Sequence, residues 1–334
     1  MKKATFALCD YEVDFANNFI EYFLQNERLN FDVLVFYSVD EIEKYLETRN
    51  IDLMLITNSM LLKLDNDENI GQIIVLSEGE ISKKYSEYPV IFKYQRTDKI
   101  ISELLNCYAK NVKEDSDTSP YKSKVELIGV YSPVKRCKKT SFSLGLSQIL
   151  AESKSVLYMN LEEYSGLLNI LGGNCKGDIL DLIYFERQKS GNCILKLKSM
   201  VSRFGDFDYL APAKYTEELK KIEAGEWVWC FEKIMIQSGY ERIIIDCGEI
   251  INGIIDILNI CTRVYMPIRT DFISLEKVNQ FEDYIDETGN LELKSKIQKV
   301  LLPDTKSCFE NREYFENISK SDLGEAIRDI LMGD

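Results

Sequence analysis

Histidine is absent from this 334-residue chain. That rules out a Ser-His-Asp triad and removes the commonest zinc ligand. The nine cysteines (Cys9, Cys107, Cys137, Cys175, Cys193, Cys230, Cys247, Cys261 and Cys308) form no C-x-x-C pair. Their number is odd and several, such as Cys247, sit within apolar runs, so they read as reduced thiols acting as small core hydrophobes in a reducing compartment. No stretch reaches the roughly 18 apolar residues of a membrane span, and the N-terminus lacks a signal-peptide core. A cytoplasmic protein is expected. Basic residues are also in deficit: 41 Lys and Arg face 55 Asp and Glu, a net charge of −14. Broad binding to nucleic acid needs a cationic face that displaces condensed counterions, so no nucleic-acid partner is expected.

What is present is core material. Hydrophobic residues make up 45% and charged residues 29%, which fits a folded protein, and the length fits two domains. In residues 1–110, strand patterns at 4–8, 32–36, 53–56, 72–76 and 90–93 are interspersed with helical patterns at 13–25, 40–49 and 98–109. Asp40 is expected as the N-cap of the second helix, with Glu43 completing a capping box. Residues 111–123 are polar and charged, carry Pro120 and read as a linker. The alternation resumes over 124–334, with strand patterns at 124–131, 156–159, 208–212, 242–245, 263–266 and 299–302. Helical patterns lie between and after them at 140–151, 216–222, 226–237, 253–259, 274–285 and 321–332. The expected fold class is α/β, with two doubly wound parallel sheets and ligand crevices at the carboxyl ends of the strands.

One such strand end carries the most chemistry. Gly129-Val-Tyr-Ser-Pro-Val-Lys-Arg-Cys-Lys-Lys-Thr-Ser141 links an apolar strand pattern to a helix, the context in which a loop cradles nucleotide phosphates. The pattern G-x-x-x-x-G-K-[ST] would place glycines at Pro133 and Lys138, and neither is glycine. Four of the five residues Lys135 to Lys139 are cationic, beside a helix N-terminus that already favours anions. The alternative is a solvated basic loop. Lys139 holds the phosphate-lysine position, and Thr140 supplies the hydroxyl suited to Mg²⁺. Asn160 and Glu162 follow the next strand, and the strand at 242–245 ends in Asp246-Cys-Gly248, like the Walker B strand whose aspartate holds Mg²⁺ through water.

The first 110 residues resemble a response-regulator receiver domain of flavodoxin-like fold. Asp10, Thr57, Ser77 and Lys93 stand at the strand ends that carry such a domain's site, the alternative being ordinary strand-end polar residues. Only one acid follows the first strand, and Thr57 stands where the phosphoacceptor aspartate would be. The resemblance therefore implies a pseudo-receiver used for protein docking, not phosphorelay.

With the second half, nearly the whole chain resembles the MinD/ParA family of P-loop ATPases, in the CpaE/TadZ branch where a receiver-like domain comes first. Further matching phrases are Ser132-Pro133, the segment 157–166, Asp208-Tyr-Leu-Ala-Pro212, and Val264-Tyr-Met-Pro267 followed by Asp271 and Lys277. The resemblance implies ATP and Mg²⁺ as cofactors, ATP-dependent homodimerisation, and placement of cellular machinery, often for pilus assembly. It implies that Lys139 and Glu162 serve catalysis. Lys135, Arg136, Cys137, Lys138, Lys139, Thr140 and Ser141 would then hold the nucleotide, and Thr140 and Asp246 the metal.

The departures point to weak or absent hydrolysis. The family loop reads K-G-G-x-G-K-[ST]-[ST]; here Val134 replaces the signature lysine, and Lys135, Arg136 and Lys138 replace the three glycines. Asn160 and Glu162 replace the two switch aspartates. Residues 299–303 carry no Asn or Arg to contact adenine. Two alternatives stay open: a scaffold that binds no nucleotide, and an active ATPase in which Lys135 or Arg136 replaces the missing lysine. The aromatic helix at 226–237 reads as core. The terminal helix is too acidic to bind anionic lipid, so membrane-surface contact is not expected. Adjacent Glu162 and Glu163 point apart at a strand end and make a poor acid/base pair.

Overall fold

A computed structural model describes residues 3–25, 31–65, 67–79, 88–111, 125–171, 176–189, 191–303 and 312–333. The predicted linker at 111–123 lies outside them except for Asn111. The chain divides into two compact units, Met1–Ser119 with Gln188–Ser199, and Pro120–Arg187 with Met200–Asp334.

In the first unit the strands are β1 (Ala4–Cys9), β2 (Phe31–Phe36), β3 (Leu53–Thr57), β4 (Ile73–Ser77) and β5 (Val90–Phe92). They form one parallel sheet in the order β2-β1-β3-β4-β5. The helices are α1 (Val13–Gln25), α2 (Val39–Leu46), the single turn α3 (Asn58–Leu61) and α4 (Thr97–Asn111). Successive side chains of a strand face opposite ways, so β1 serves two cores. Phe6 and Leu8 pack with Phe19, Phe23 and Leu104, while Ala7 and Cys9 pack with Ile42, Ile56 and Val75. One expectation is corrected. Ser38, not Asp40, caps α2, accepting from Glu41 N–H at 3.4 Å. Glu41 in turn accepts from Tyr37 N–H at 3.0 Å, because the Ser-x-x-Glu spacing that suits a helix start falls two residues earlier.

In the second unit the strands are β6 (Glu126–Val130), β7 (Val156–Asn160), β8 (Ser202–Phe204), β9 (Phe207–Leu210), β10 (Arg242–Asp246), β11 (Arg263–Ile268) and β12 (Ile297–Leu301). The helices are α5 (Lys139–Ala151), α6 (Leu167–Leu171), α7 (Ile179–Arg187), α8 (Cys193–Met200), α9 (Ala224–Gln237), α10 (Ile254–Ile260), α11 (Phe272–Glu287), α12 (Leu291–Lys296), α13 (Arg312–Glu316) and α14 (Asp322–Met332). Of these, α8 counts with the first unit: its residues Cys193–Ser199 belong there, and only its last residue, Met200, belongs to the second. The helical pattern at 216–222 is a 3₁₀ helix, Thr216–Lys221.

The sheet order is β12-β11-β6-β10-β7-β9-β8. Its strands are parallel except β8, which pairs antiparallel with β9 at the edge, so the sheet is mixed where a wholly parallel one was expected. β6 and β7 flank β10, and their register sets Val130, Asp246 and Asn160 side by side at the carboxyl ends. Helix α14 packs Leu323 and Ile327 into the core with Phe142 and Leu146 of α5. Helix α14 and the 3₁₀ turn Ile318–Lys320 before it come so close that a Cβ on Gly145 would sit 2.7 Å from Ile327 and 2.6 Å from Ile318. Among the described residues no helix is long and apolar enough to cross a membrane.

Candidate functional site

The loop between β6 and α5 is anchored from inside. Ser132 hydroxyl donates to the Pro267 carbonyl at 2.6 Å and accepts from Val134 N–H at 3.1 Å. Val134 and Cys137 are buried against Met266 and Val278, and the Cys137 thiol donates to the Val134 carbonyl at 3.0 Å. Position 134, where the resemblance would place a lysine, is thus an apolar anchor. Lys135 and Arg136 face outward, exposed, with Lys135 paired to Glu249 at 2.9 Å. Lys138 donates to the Pro303 carbonyl.

The backbone does what glycines would do. Arg136 has φ 56° and Lys138 has φ 62°, both left-handed, while Lys135 has no positive φ. Two of the three substituted glycine positions therefore retain the conformation that favours glycine, at about 1 kcal/mol or more each. The turn delivers α5 with Lys139 and Thr140 as its first residues and no side chain capping its N-terminus. Its leading N–H groups are an anion-binding feature. Ser141 follows, half-buried in the first turn.

Three oxygens surround Lys139 Nζ: Glu162 Oε1 at 2.7 Å, Asp246 Oδ1 at 3.2 Å and the Cys247 carbonyl. Burial pulls the lysine pKa down, but the charges of Asp246 and Glu162 outweigh it and raise it overall. Thr140 hydroxyl donates to Glu162 Oε2 at 3.2 Å. Asp246 is wholly buried; burial raises its carboxyl pKa, opposed by the charge of Lys139. Its Oδ2 accepts from Asn160 Nδ2 at 2.9 Å and from Tyr158 hydroxyl at 3.1 Å. Its Oδ1 is ion-paired to Lys139 in a geometry that leaves the oxygen without a hydrogen bond. Asn160 also reaches forward, its Oδ1 accepting from Glu162 N–H at 3.1 Å.

The donor set fits Mg²⁺: a hydroxyl on Thr140 and an orphaned carboxylate oxygen on Asp246, both hard ligands. Among the described residues no three or more Asp, Glu, Cys or His side chains form a metal cage. A divalent ion here would lean on water and on the phosphates of its ligand, as Mg²⁺ usually does. The thiols are not nucleophiles: burial pushes Cys247 up to about 12 and raises Cys137.

The sequence reading missed Tyr158, the Cys247 carbonyl and Glu249. Tyr158 had a signal, since residues two apart on a strand share a face and Asn160 was already singled out. Asp271 caps α11, accepting from Ser274 N–H at 3.1 Å.

In the first unit Asp10, Thr57, Ser77 and Lys93 are all buried at strand ends. Lys93 Nζ meets Asp10 Oδ2 at 2.8 Å, Glu78 Oε1 at 2.7 Å and Glu12 Oε1 at 3.3 Å, and lies 4.8 Å from the Phe15 ring centroid. Burial lowers its pKa, but hydrogen bonds to Asp10 and Glu78 raise it overall. Ser77 hydroxyl donates to the Gly79 carbonyl at 2.8 Å, and Thr57 accepts from Ser59 hydroxyl at 3.4 Å. Asp10 and Lys93 are therefore brought together, while Thr57 and Ser77 bond locally. Glu12 and Glu78 were not anticipated. All three carboxylates of this cluster converge on the Lys93 ammonium.

No family model matches the sequence, and no curated protein matches it. Solved structures do. A plasmid partition protein from Borrelia burgdorferi B31 bound to AMPPNP is 13% identical, with 63% of this chain and 99% of that chain covered and a TM-score of 0.46. Cobyrinic acid a,c-diamide synthase from Mycobacterium smegmatis, with an ATP analog and magnesium, is 14% identical over 61% of this chain and 92% of that chain, with a TM-score of 0.45. A ParA family ATPase from Chlorobium tepidum TLS is 16% identical over 62% of this chain and 98% of that chain, with a TM-score of 0.50. At that identity the likeness shows the fold, which is that of the ParA-type P-loop NTPases.

Proposed function

We propose that the protein is a nucleotide-binding, dimerising relative of the MinD/ParA ATPases, of the CpaE/TadZ kind, with weak or absent hydrolysis. It acts in the cytoplasm as a spatial organiser or assembly scaffold, and its receiver-like unit docks a protein partner. The observation that carries this reading is the loop: Arg136 and Lys138 hold left-handed backbone without glycine. Lys139 and Thr140 consequently stand at the start of α5, facing Asp246. Thr140 and Asp246 would hold Mg²⁺, which supplies charge neutralisation at the phosphates when bound.

The same geometry argues against fast turnover. Asn160 is a neutral amide that cannot take a proton, and it is already committed to Asp246 and Tyr158. Val134 is buried where a cation would be needed. The reading as a scaffold that binds no nucleotide is favoured by one observation, the occupation of Lys139 by Glu162. Sedimentation velocity with and without MgATP, run beside a phosphate-release assay, separates these readings. The proposal expects a nucleotide-dependent shift from one chain to two with little phosphate release. Brisk release that disappears in Lys139→Ala would make the protein an active ATPase. No change in mass and no release would favour the scaffold.

A further inference from the structure

Glu162 grips two consecutive residues of the phosphate loop with one carboxylate. Its Oε1 lies 2.7 Å from Lys139 Nζ and its Oε2 accepts from Thr140 hydroxyl at 3.2 Å. These are the two side chains that a P-loop uses on a nucleotide phosphate and its metal. One carboxylate thus occupies both the lysine that a phosphate oxygen would contact and the hydroxyl that its metal would use. With Asp246 Oδ1 ion-paired at 3.2 Å and the Cys247 carbonyl accepting a hydrogen bond, the ammonium is already surrounded by three oxygens, and Glu162 Oε1 is the nearer of its two carboxylate partners. An incoming phosphate can reach this ammonium closely only by displacing the Glu162 carboxylate, which lies 2.7 Å from it.

The partners differ in how easily they can leave. Asp246 is fully buried and pinned by Asn160 and Tyr158, and the Cys247 carbonyl is backbone. The Glu162 side chain is 29% exposed and can rotate into solvent. Its main chain cannot follow, since Glu162 N–H is held by Asn160 Oδ1 at 3.1 Å. Gly248 also lies so close to Leu161 and Glu162 that a Cβ would collide with the Leu161 carbonyl. The movable piece is one side chain.

Resting on the nucleotide reading above, we infer that Glu162 is an internal anion that occupies the phosphate position and holds the site in a low-affinity state. Nucleotide or polyphosphate binds only when this carboxylate swings out. The apparent affinity is the intrinsic affinity reduced by the fraction of molecules with the carboxylate withdrawn.

Calorimetric titration of the full-length protein and of Glu162→Gln tests this with two ligands, MgATP and metal-free sodium tripolyphosphate. Both are expected to bind Glu162→Gln about tenfold more tightly, corresponding to roughly one molecule in ten being open at rest. Glu162→Ala should change affinity in the same direction, which excludes an effect peculiar to the amide. The metal-free arm matters because a carboxylate that served Mg²⁺ would leave tripolyphosphate binding unchanged and weaken MgATP binding when removed. Equal or weaker binding of tripolyphosphate by both variants overturns the inference and leaves the nucleotide reading standing. Failure of all three proteins to bind either ligand overturns both.

Discussion

Asn160 Nδ2 donates to Asp246 Oδ2 at 2.9 Å, tying the carboxyl end of β7 to that of β10. An aspartate at position 160 would set two carboxylates against each other in a buried site. Asn160→Asp should destabilise the metal-free protein by about 1–3 kcal/mol. Asp246 already has a raised pKa in the folded state, so the folded variant would bind more protons than the unfolded chain, and its stability should fall as pH rises from about 4 towards 7. Urea unfolding across that range checks the sign; stability rising with pH would contradict it.

Arg136 at φ 56° is the cleanest test of backbone strain in the loop. Its side chain is exposed, so little packing is lost on truncation. Arg136→Gly should stabilise by about 0.5–1 kcal/mol, the left-handed relief exceeding the added freedom of the unfolded chain. Arg136→Val should destabilise by a similar or larger amount, because a branched Cβ fits that region worst. Denaturant midpoints of the two variants should move in opposite directions.

Lys93 is the only cation bonded to the buried Asp10 carboxylate among the described ion pairs. Lys93→Met would leave the cluster without its counter-charge and should cost about 3–5 kcal/mol. In the native protein its pKa is raised. Its contribution should therefore be complete below the ordinary lysine value near 10.5 and be lost as pH rises through the folded value. Unfolding free energy measured between pH 8 and 12 should fall at the alkaline end, more steeply than in Lys93→Met.

Gly248 touches the site through its missing side chain. Because a Cβ there would collide with the Leu161 carbonyl, Gly248→Ala should cost about 1–3 kcal/mol. It should also weaken MgATP binding by shifting the nearby Asp246 carboxylate. A variant as stable and as competent as the native protein would show that the contact relaxes freely.

Much of the frame was legible because it is local. The apolar run of β6, the following Lys-Thr-Ser and the apolar face of α5 state a strand, a loop and a helix within one stretch. Asp246 declares itself by ending an apolar strand. What the stretch 133–138 could not state was its backbone, since Arg and Lys are poor guides to a left-handed turn; the anchor of Val134 and Cys137 on Met266 and Val278 comes from distant segments. The grip of Glu162 on Lys139 and the meeting of Tyr158 with Asp246 likewise depend on how β7, β10 and the loop are brought together. The antiparallel β8–β9 pair does carry a local signal: Gly205-Asp206 between two phenylalanines is a two-residue hairpin turn, with Gly205 at φ 57°. In the first unit, the spacing found Asp10 and Lys93 but not Glu12 and Glu78, which complete the charge balance only once β1, β4 and β5 lie in one sheet.

The central claim is that a loop without glycine still cradles phosphate. Isothermal titration of the full-length protein with MgATP, beside Lys139→Ala, tests it most directly. Saturable binding in the micromolar range by the native protein, lost in Lys139→Ala, is the predicted result. A well-folded native protein that takes up no MgATP would contradict it.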